Sequence, residues 1–322
     1  MKNIQIIAPS RSFSKVPQWI RFGCEQTLQK KLTPRIKTVI TYGNYVADCD
    51  SLDSASIKKR VDDLSEAFIN PNVDIILAAT GGYTANDLLP SINWNAIQKN
   101  PKPFCGFSDI TVLLNAIYAK TNIRTYYTPN AAIFARPKGI TETLQSFVNC
   151  VIKKQKQAVI PSSWYSDSNW KTSPKKIKKN TSSGYWIIQK GKSKGTIIGG
   201  NLCSLNLLQG TQYLPKRNNL VLFLEEDDLA KENTLGEFSR NIRSLLQCIG
   251  VNNIRAIMIG RFQNASLITQ TDINQLFNRM ALPSKIPIIA NIDFGHTFPM
   301  ISFPIGGTAT INTNTKTMIT IQ

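Results

Sequence analysis

Short runs of β-branched and other apolar residues alternate along the chain with longer stretches in which apolar residues recur every three or four positions. The first pattern suits strands buried on both faces and the second suits amphipathic helices, so their alternation predicts parallel α/β units. Residues 4–8, 38–41, 73–79 and 104–107 read as strands. Residues 54–68 read as a helix that puts Ile57, Val61, Leu64 and Phe68 on one face, with Ser54 as N-cap, and 110–118 read as another. Together they predict an N-terminal α/β domain over residues 1–150.

From 151 to 195 the alternation lapses into a basic, Ser-rich stretch that carries Trp164, Trp170 and Trp186 and reads as a linker or a lid. A second domain, 196–322, follows. Its strands are expected at 195–198, 220–224, 254–259 and 288–292, with a closing pair at 309–311 and 318–321. Its helices are expected at 201–208 and 236–248, stopped by Gly210 and Gly250.

Composition narrows the function classes. The 322 residues suffice for two cores, and Lys plus Arg outnumber Asp plus Glu 38 to 20. The resulting +18 reads as a solubilising surface that also attracts polyanions, but no nucleic-acid-binding motif accompanies it, and the densest basic run, 171–179, looks like a loop. Six cysteines without a C-x-x-C pair read as reduced, mostly buried thiols. The apolar run at the N-terminus is too short for a signal segment, and no stretch reaches a membrane span. A cytoplasmic protein without membrane partners is expected. A single histidine, His296, excludes a multi-histidine metal site within one chain.

Three strand ends carry the candidate chemistry, because in open α/β sheets sites gather where loops leave the carboxyl ends of strands. One strand runs into Gly81-Gly82 and turns through Tyr83, Thr84 and Ala85 toward a helix near Asn86. Another ends in four acids, Glu225 to Asp228, which read as a solvated loop, an imidazole partner or a pair for Mg²⁺. The third delivers Asp293, Gly295 and His296. A carboxylate orienting an imidazole that faces a Gly-rich elbow is the layout of nucleophilic acyl transfer.

At this level of detail the chain resembles the LD-carboxypeptidase family of serine peptidases, and within it the microcin C immunity branch. The resemblance rests on Ala8-Pro9-Ser10, Gly81-Gly82 through Asn86, Gly106-Phe107-Ser108-Asp109-Ile110-Thr111, Gly199-Gly200-Asn201-Leu202, Leu222-Phe223-Leu224-Glu225 and Asp293-Phe294-Gly295-His296-Thr297. It implies an α/β protein with a Rossmann-like N-terminal domain, a swivelling β/β/α C-terminal domain, a homodimer and a Ser-Glu-His triad that includes Glu225 and His296.

The resemblance places the serine three residues after the second glycine, where this chain has Ala85. On that reading the chain cannot be acylated: it is either an inactivated serine-to-alanine form or a natural pseudoenzyme that binds without turnover, with Thr84 a substitute one residue off. Backbone N–H groups at Gly82 and Asn86 would take the oxyanion. Ser108, Asp109 and Asn201 fall among the substrate-binding residues, and Trp186 is expected to stack on a nucleobase. The implied substrate is a peptidyl or aminoacyl nucleotide, with a murein tetrapeptide as the alternative. No cofactor or metal is expected.

Overall fold

The structure, a computed structural model, describes residues 2–30, 32 and 37–322. The first strands are β1 (Lys2–Ile7), β2 (Thr38–Tyr42), β3 (Ile75–Ala78), β4 (Phe104–Gly106) and β5 (Thr125–Tyr127). The segment between the domains contributes β6 (Gln157–Val159), the two-residue strands β7 (Trp164–Tyr165) and β8 (Asn180–Thr181), and β9 (Trp186–Gln189). The remainder holds β10 (Lys192–Asn201), β11 (Leu220–Glu225), β12 (Ile254–Gly260), β13 (Ile288–Ile292), β14 (Phe303–Ile305), β15 (Thr308–Asn312) and β16 (Ile319–Ile321). The α-helices are α1 (Gln18–Lys30), α2 (Ile57–Ile69), α3 (Trp94–Lys99), α4 (Thr111–Thr121), α5 (Thr141–Phe147), α6 (Leu202–Asn206), α7 (Thr234–Ile249) and α8 (Gln270–Met280).

Two sheets result, as the alternation of runs predicts. One runs β14-β5-β4-β3-β1-β2, with β1 to β5 mutually parallel and β14 antiparallel at the edge. The other runs β6-β16-β15-β10-β11-β12-β13-β9, parallel through β10 to β13. All residues of β3, β11 and β13 are buried, the pattern of parallel strands covered on both faces. α7 buries Phe238, Ile242, Leu245 and Leu246, a stripe at helical spacing.

Several details differ from the sequence reading. The helix expected from Ser54 starts at Ile57 behind Ser56, while Ser54 is buried and its N–H bonds Asp50 Oδ1 at 3.3 Å. The linker is partly sheet: β6 and β9 form the two edges of the larger sheet. Helix α1 went unpredicted although Ile20, Cys24 and Leu28 recur at spacing four and are buried. Cys49, Cys203 and Cys248 are exposed, so only half of the thiols are interior.

The two sheets are tied together behind the site. Asn115 of α4 donates to Gly199 O at 2.8 Å and accepts from Gly199 N–H at 3.2 Å. The Thr111 hydroxyl accepts the Asn201 N–H at 3.0 Å. β14 carries Phe303 into a stack on Tyr127, with centroids 4.5 Å apart, and against Phe223 at 4.7 Å. Such aromatic contacts add to the area they bury and hold the strand ends in fixed register.

Candidate active site

The carboxyl ends of β3, β4, β11 and β13 open on a common cleft of about 410 Å³. β4 ends at Gly106, Phe107 is extended, and Ser108 takes φ 63° before a single 3-10 turn leads into α4. A non-glycine residue in the left-handed region at a strand-to-helix turn is strained, and a serine there is the geometry of a nucleophile elbow. Gly81 and Gly82 pass beside it. A Cβ on Gly81 would lie 3.0 Å from Ser108 Oγ, and one on Gly82 would overlap Ser10 Oγ and reach 2.7 Å from Arg11 N, so only glycines let these loops close up.

His296 bridges the two domains. Its Nδ1 lies 2.8 Å from Glu225 Oε2 and its Nε2 lies 3.3 Å from Ser108 Oγ. With Nδ1–H donating to the carboxylate, Nε2 keeps a lone pair for the serine O–H. Glu225, the last residue of β11, is fully buried, and a Cβ on Gly295 (φ +103°) would stand 3.1 Å from it. Burial opposes a charge on the imidazole, but the Glu225 charge and hydrogen bond, followed by Asp227 and Glu226, outweigh it and raise the His296 pKa to about 8. Glu226 is also buried, and desolvation, with the neighbouring Glu225 charge, lifts its carboxyl to about 8.

Ala85, the position expected for the nucleophile, packs beside this turn. That residue is fully buried, is not among those lining the cleft, and donates its N–H to Asp109 Oδ2 at 2.9 Å. Its neighbour Thr84 is spent on Arg60, which donates to both its hydroxyl and its carbonyl. The hydroxyl that lines the cleft beside His296 Nε2 is that of Ser108. Asn86 lies within the 3-10 turn Ala85–Ser91 and does not line the cleft, whereas Gly82 does. Among the described residues the N–H of Gly82 has no hydrogen-bond acceptor.

The other expected residues divide in the same way. The Asp109 carboxylate is internal structure, accepting from Ser10 Oγ at 2.5 Å as well as from Ala85. Asn201 is buried, caps α6 by accepting from Ser204 N–H at 3.0 Å, donates to Glu226 Oε1 at 3.1 Å and stays outside the cleft. Asp293 is held by Arg261 at 2.6 Å and by Ser162. Trp186 lies in β9, donates to Ser183 Oγ at 3.2 Å and lines a separate cavity of about 290 Å³. The indole in the main cleft is that of Trp170, set edge-on against Trp19 at 5.9 Å.

Residues 167–171 of the intervening segment line the cleft, while Ser166 and Phe298 exchange backbone hydrogen bonds at 2.8 and 2.9 Å. Among the described residues no His, Cys, Asp and Glu group is arranged to hold a metal ion, and no helix is long and apolar enough to cross a membrane.

Comparison with known proteins agrees with this architecture. The LD-carboxypeptidase N-terminal domain matches residues 4–128 and the C-terminal domain of that family matches 194–311. YocD of Bacillus subtilis, which carries a carboxypeptidase name, is 38% identical over 308 residues, 96% of this chain and 92% of YocD. An MccF-like protein from Bacillus anthracis superposes with a TM-score of 0.95 at 40% identity, covering 99% of this chain and 96% of that one. The microcin C7 self-immunity protein MccF of Escherichia coli is 29% identical over 85% of this chain and 81% of its own length. MccF in complex with aspartyl sulfamoyl adenosine superposes with a TM-score of 0.85 at 27% identity, covering 100% of this chain and 96% of that one.

Proposed function

The chain belongs to the LD-carboxypeptidase family, and from that premise we propose that it is a catalytically complete serine hydrolase of the MccF type, cleaving the amide bond between an aminoacyl or peptidyl carboxyl and a nucleotide-like group. The observation that carries this reading is the run of contacts from Ser108 Oγ to His296 Nε2 and from His296 Nδ1 to Glu225 Oε2, at 3.3 and 2.8 Å.

In the proposed reaction Ser108 Oγ bonds to the substrate carbonyl carbon while its proton passes to His296 Nε2. The carbonyl electron pair moves to oxygen, where the free N–H of Gly82 receives the oxyanion. Collapse breaks the C–N bond, and His296 returns the proton to the departing nitrogen. Water, activated by the same imidazole, then hydrolyses the acyl-serine. Glu225 fixes the Nδ1–H tautomer and stabilises the imidazolium. Trp170, buried against Trp19, forms part of the apolar wall of the cleft beside which the nucleotide-like group would pack.

The aminoacyl sulfamoyl nucleotide bound by MccF guides the substrate choice. Incubating the chain with aspartyl sulfamoyl adenosine and, separately, with a murein tetrapeptide tests it. Release of aspartate supports the reading, exclusive release of D-alanine assigns the murein branch instead, and binding without turnover makes the chain a ligand-sequestering protein.

A further inference from the structure

The cleft is lined by charges of both signs. The acids Asp227 and Asp228 line it on the loop that follows Glu225, and Arg11 and Lys171 line it as its cations. Arg11 lies on the Gly82 side, since a Cβ on Gly82 would reach 2.7 Å from Arg11 N while Gly81 packs on Ser108. A contact path therefore runs from Ser108 through the glycine pair to Arg11.

Neither cation is held in a tight ion pair. Arg11 Nε is 3.8 Å from Asp53, whose other oxygen is held by Lys15 at 2.8 Å. Lys171 has no ion pair among the described residues. The acid closest to Lys171 in sequence, Asp167, accepts both the backbone and the side-chain N–H of Asn264, at 2.7 and 3.1 Å.

Lys171 is also anchored, unlike the rest of the basic run. It follows Trp170, which is buried against Trp19, and the same segment is bonded to Phe298 through Ser166. Desolvation, and then the Arg11 charge, holds the Lys171 ammonium below the usual lysine range. Two cations converging on a cleft repel each other, and an anion between them relieves that repulsion with charge-assisted hydrogen bonds.

We propose that Arg11 and Lys171 form an anion-binding subsite in the cleft, beside the Trp170 indole, for an oxyanion group of the substrate: a phosphate or a carboxylate. The inference rests on the cleft being the substrate site proposed above, and it adds which residues select the substrate's charge. It makes them specificity residues, remote from the bond that breaks.

The test measures affinities by calorimetry at low salt, in Ser108→Ala protein so that nothing turns over. One pair of probes is AMP and adenosine. The other is a murein tetrapeptide and its C-terminal amide. The subsite predicts that the charged member of one pair binds about tenfold or more tightly, that Arg11→Met/Lys171→Met brings that ratio close to one, and that Lys171→Arg preserves it. The pair showing the ratio identifies phosphate or carboxylate as the anion. Equal binding within both pairs, or a ratio that survives the double substitution, overturns the subsite. Absence of hydrolysis by the unsubstituted chain counts against the proposed function alone, because these ratios are read without turnover. Both side chains are partly solvent-exposed, so the substitutions leave the core untouched.

Discussion

Glu225 and His296 meet through a single hydrogen bond of 2.8 Å, with the Glu225 side chain sealed from solvent and that of His296 21% exposed. The carboxylate holds Nδ1–H and leaves Nε2 toward Ser108. Glu225→Gln keeps the shape but can donate to Nδ1 and favour the wrong tautomer. The expected loss in kcat is about 10³–10⁴-fold with little change in KM, measured by steady-state kinetics on folded protein.

The pH profile follows from the His296 pKa of about 8. The base must be neutral to accept the serine proton, so kcat/KM should climb with pH and level off above about 8. Stability moves the other way. The folded pKa exceeds the ordinary 6.5, so the protonated imidazole contributes about 2 kcal/mol below pH 6.5 and loses it as pH rises through 8. As the chain has one histidine, a single imidazole resonance reports the titration, and Glu225→Gln should shift it to lower pH.

Glu226 gives a prediction of opposite character. Its carboxyl is raised to about 8 by desolvation, so folding favours the neutral form, and the stability cost of ionising it accrues as pH rises from about 4.5 to 8. Glu226→Gln retains Oε1 as acceptor for Asn201 Nδ2 and removes that cost. Thermal unfolding should show equal Tm near pH 4 and a higher Tm for the variant at pH 8.

Ala85→Ser should not increase activity. The side chain is fully buried beside the Asp109 network, so the added hydroxyl meets a packed wall and costs about 1–3 kcal/mol. Denaturant unfolding of the variant should show that loss, with hydrolysis no faster than in the unsubstituted chain.

Much of this architecture was legible because parallel strands buried on both faces leave uninterrupted apolar runs, as Ile75–Ala78 and Leu220–Glu225 do. Two strand ends and a solitary imidazole pointed to a carboxylate partner for His296, and the family resemblance singled out Glu225 among the four acids 225–228. Ser108 was read only as a substrate-binding residue, although a strand through Phe104 and a helix from Ile110 leave a short turn with a serine in it. Gly81-Gly82 drew attention instead, and its part is to let a neighbouring loop close on that serine. Which of Trp170 and Trp186 borders the cleft was not legible, since it depends on β9 pairing with β13 and on residues 167–171 lying along the cleft. Those are long-range contacts without a local pattern.

The most direct measurement is the rate of aspartyl sulfamoyl adenosine hydrolysis by the unsubstituted chain, Ser108→Ala and Ala85→Ser, compared at pH 8 with circular dichroism confirming the fold of each. The account predicts turnover by the unsubstituted chain and a loss of about 10⁴-fold or more in Ser108→Ala. Undiminished hydrolysis by Ser108→Ala, or activity appearing only in Ala85→Ser, would contradict it.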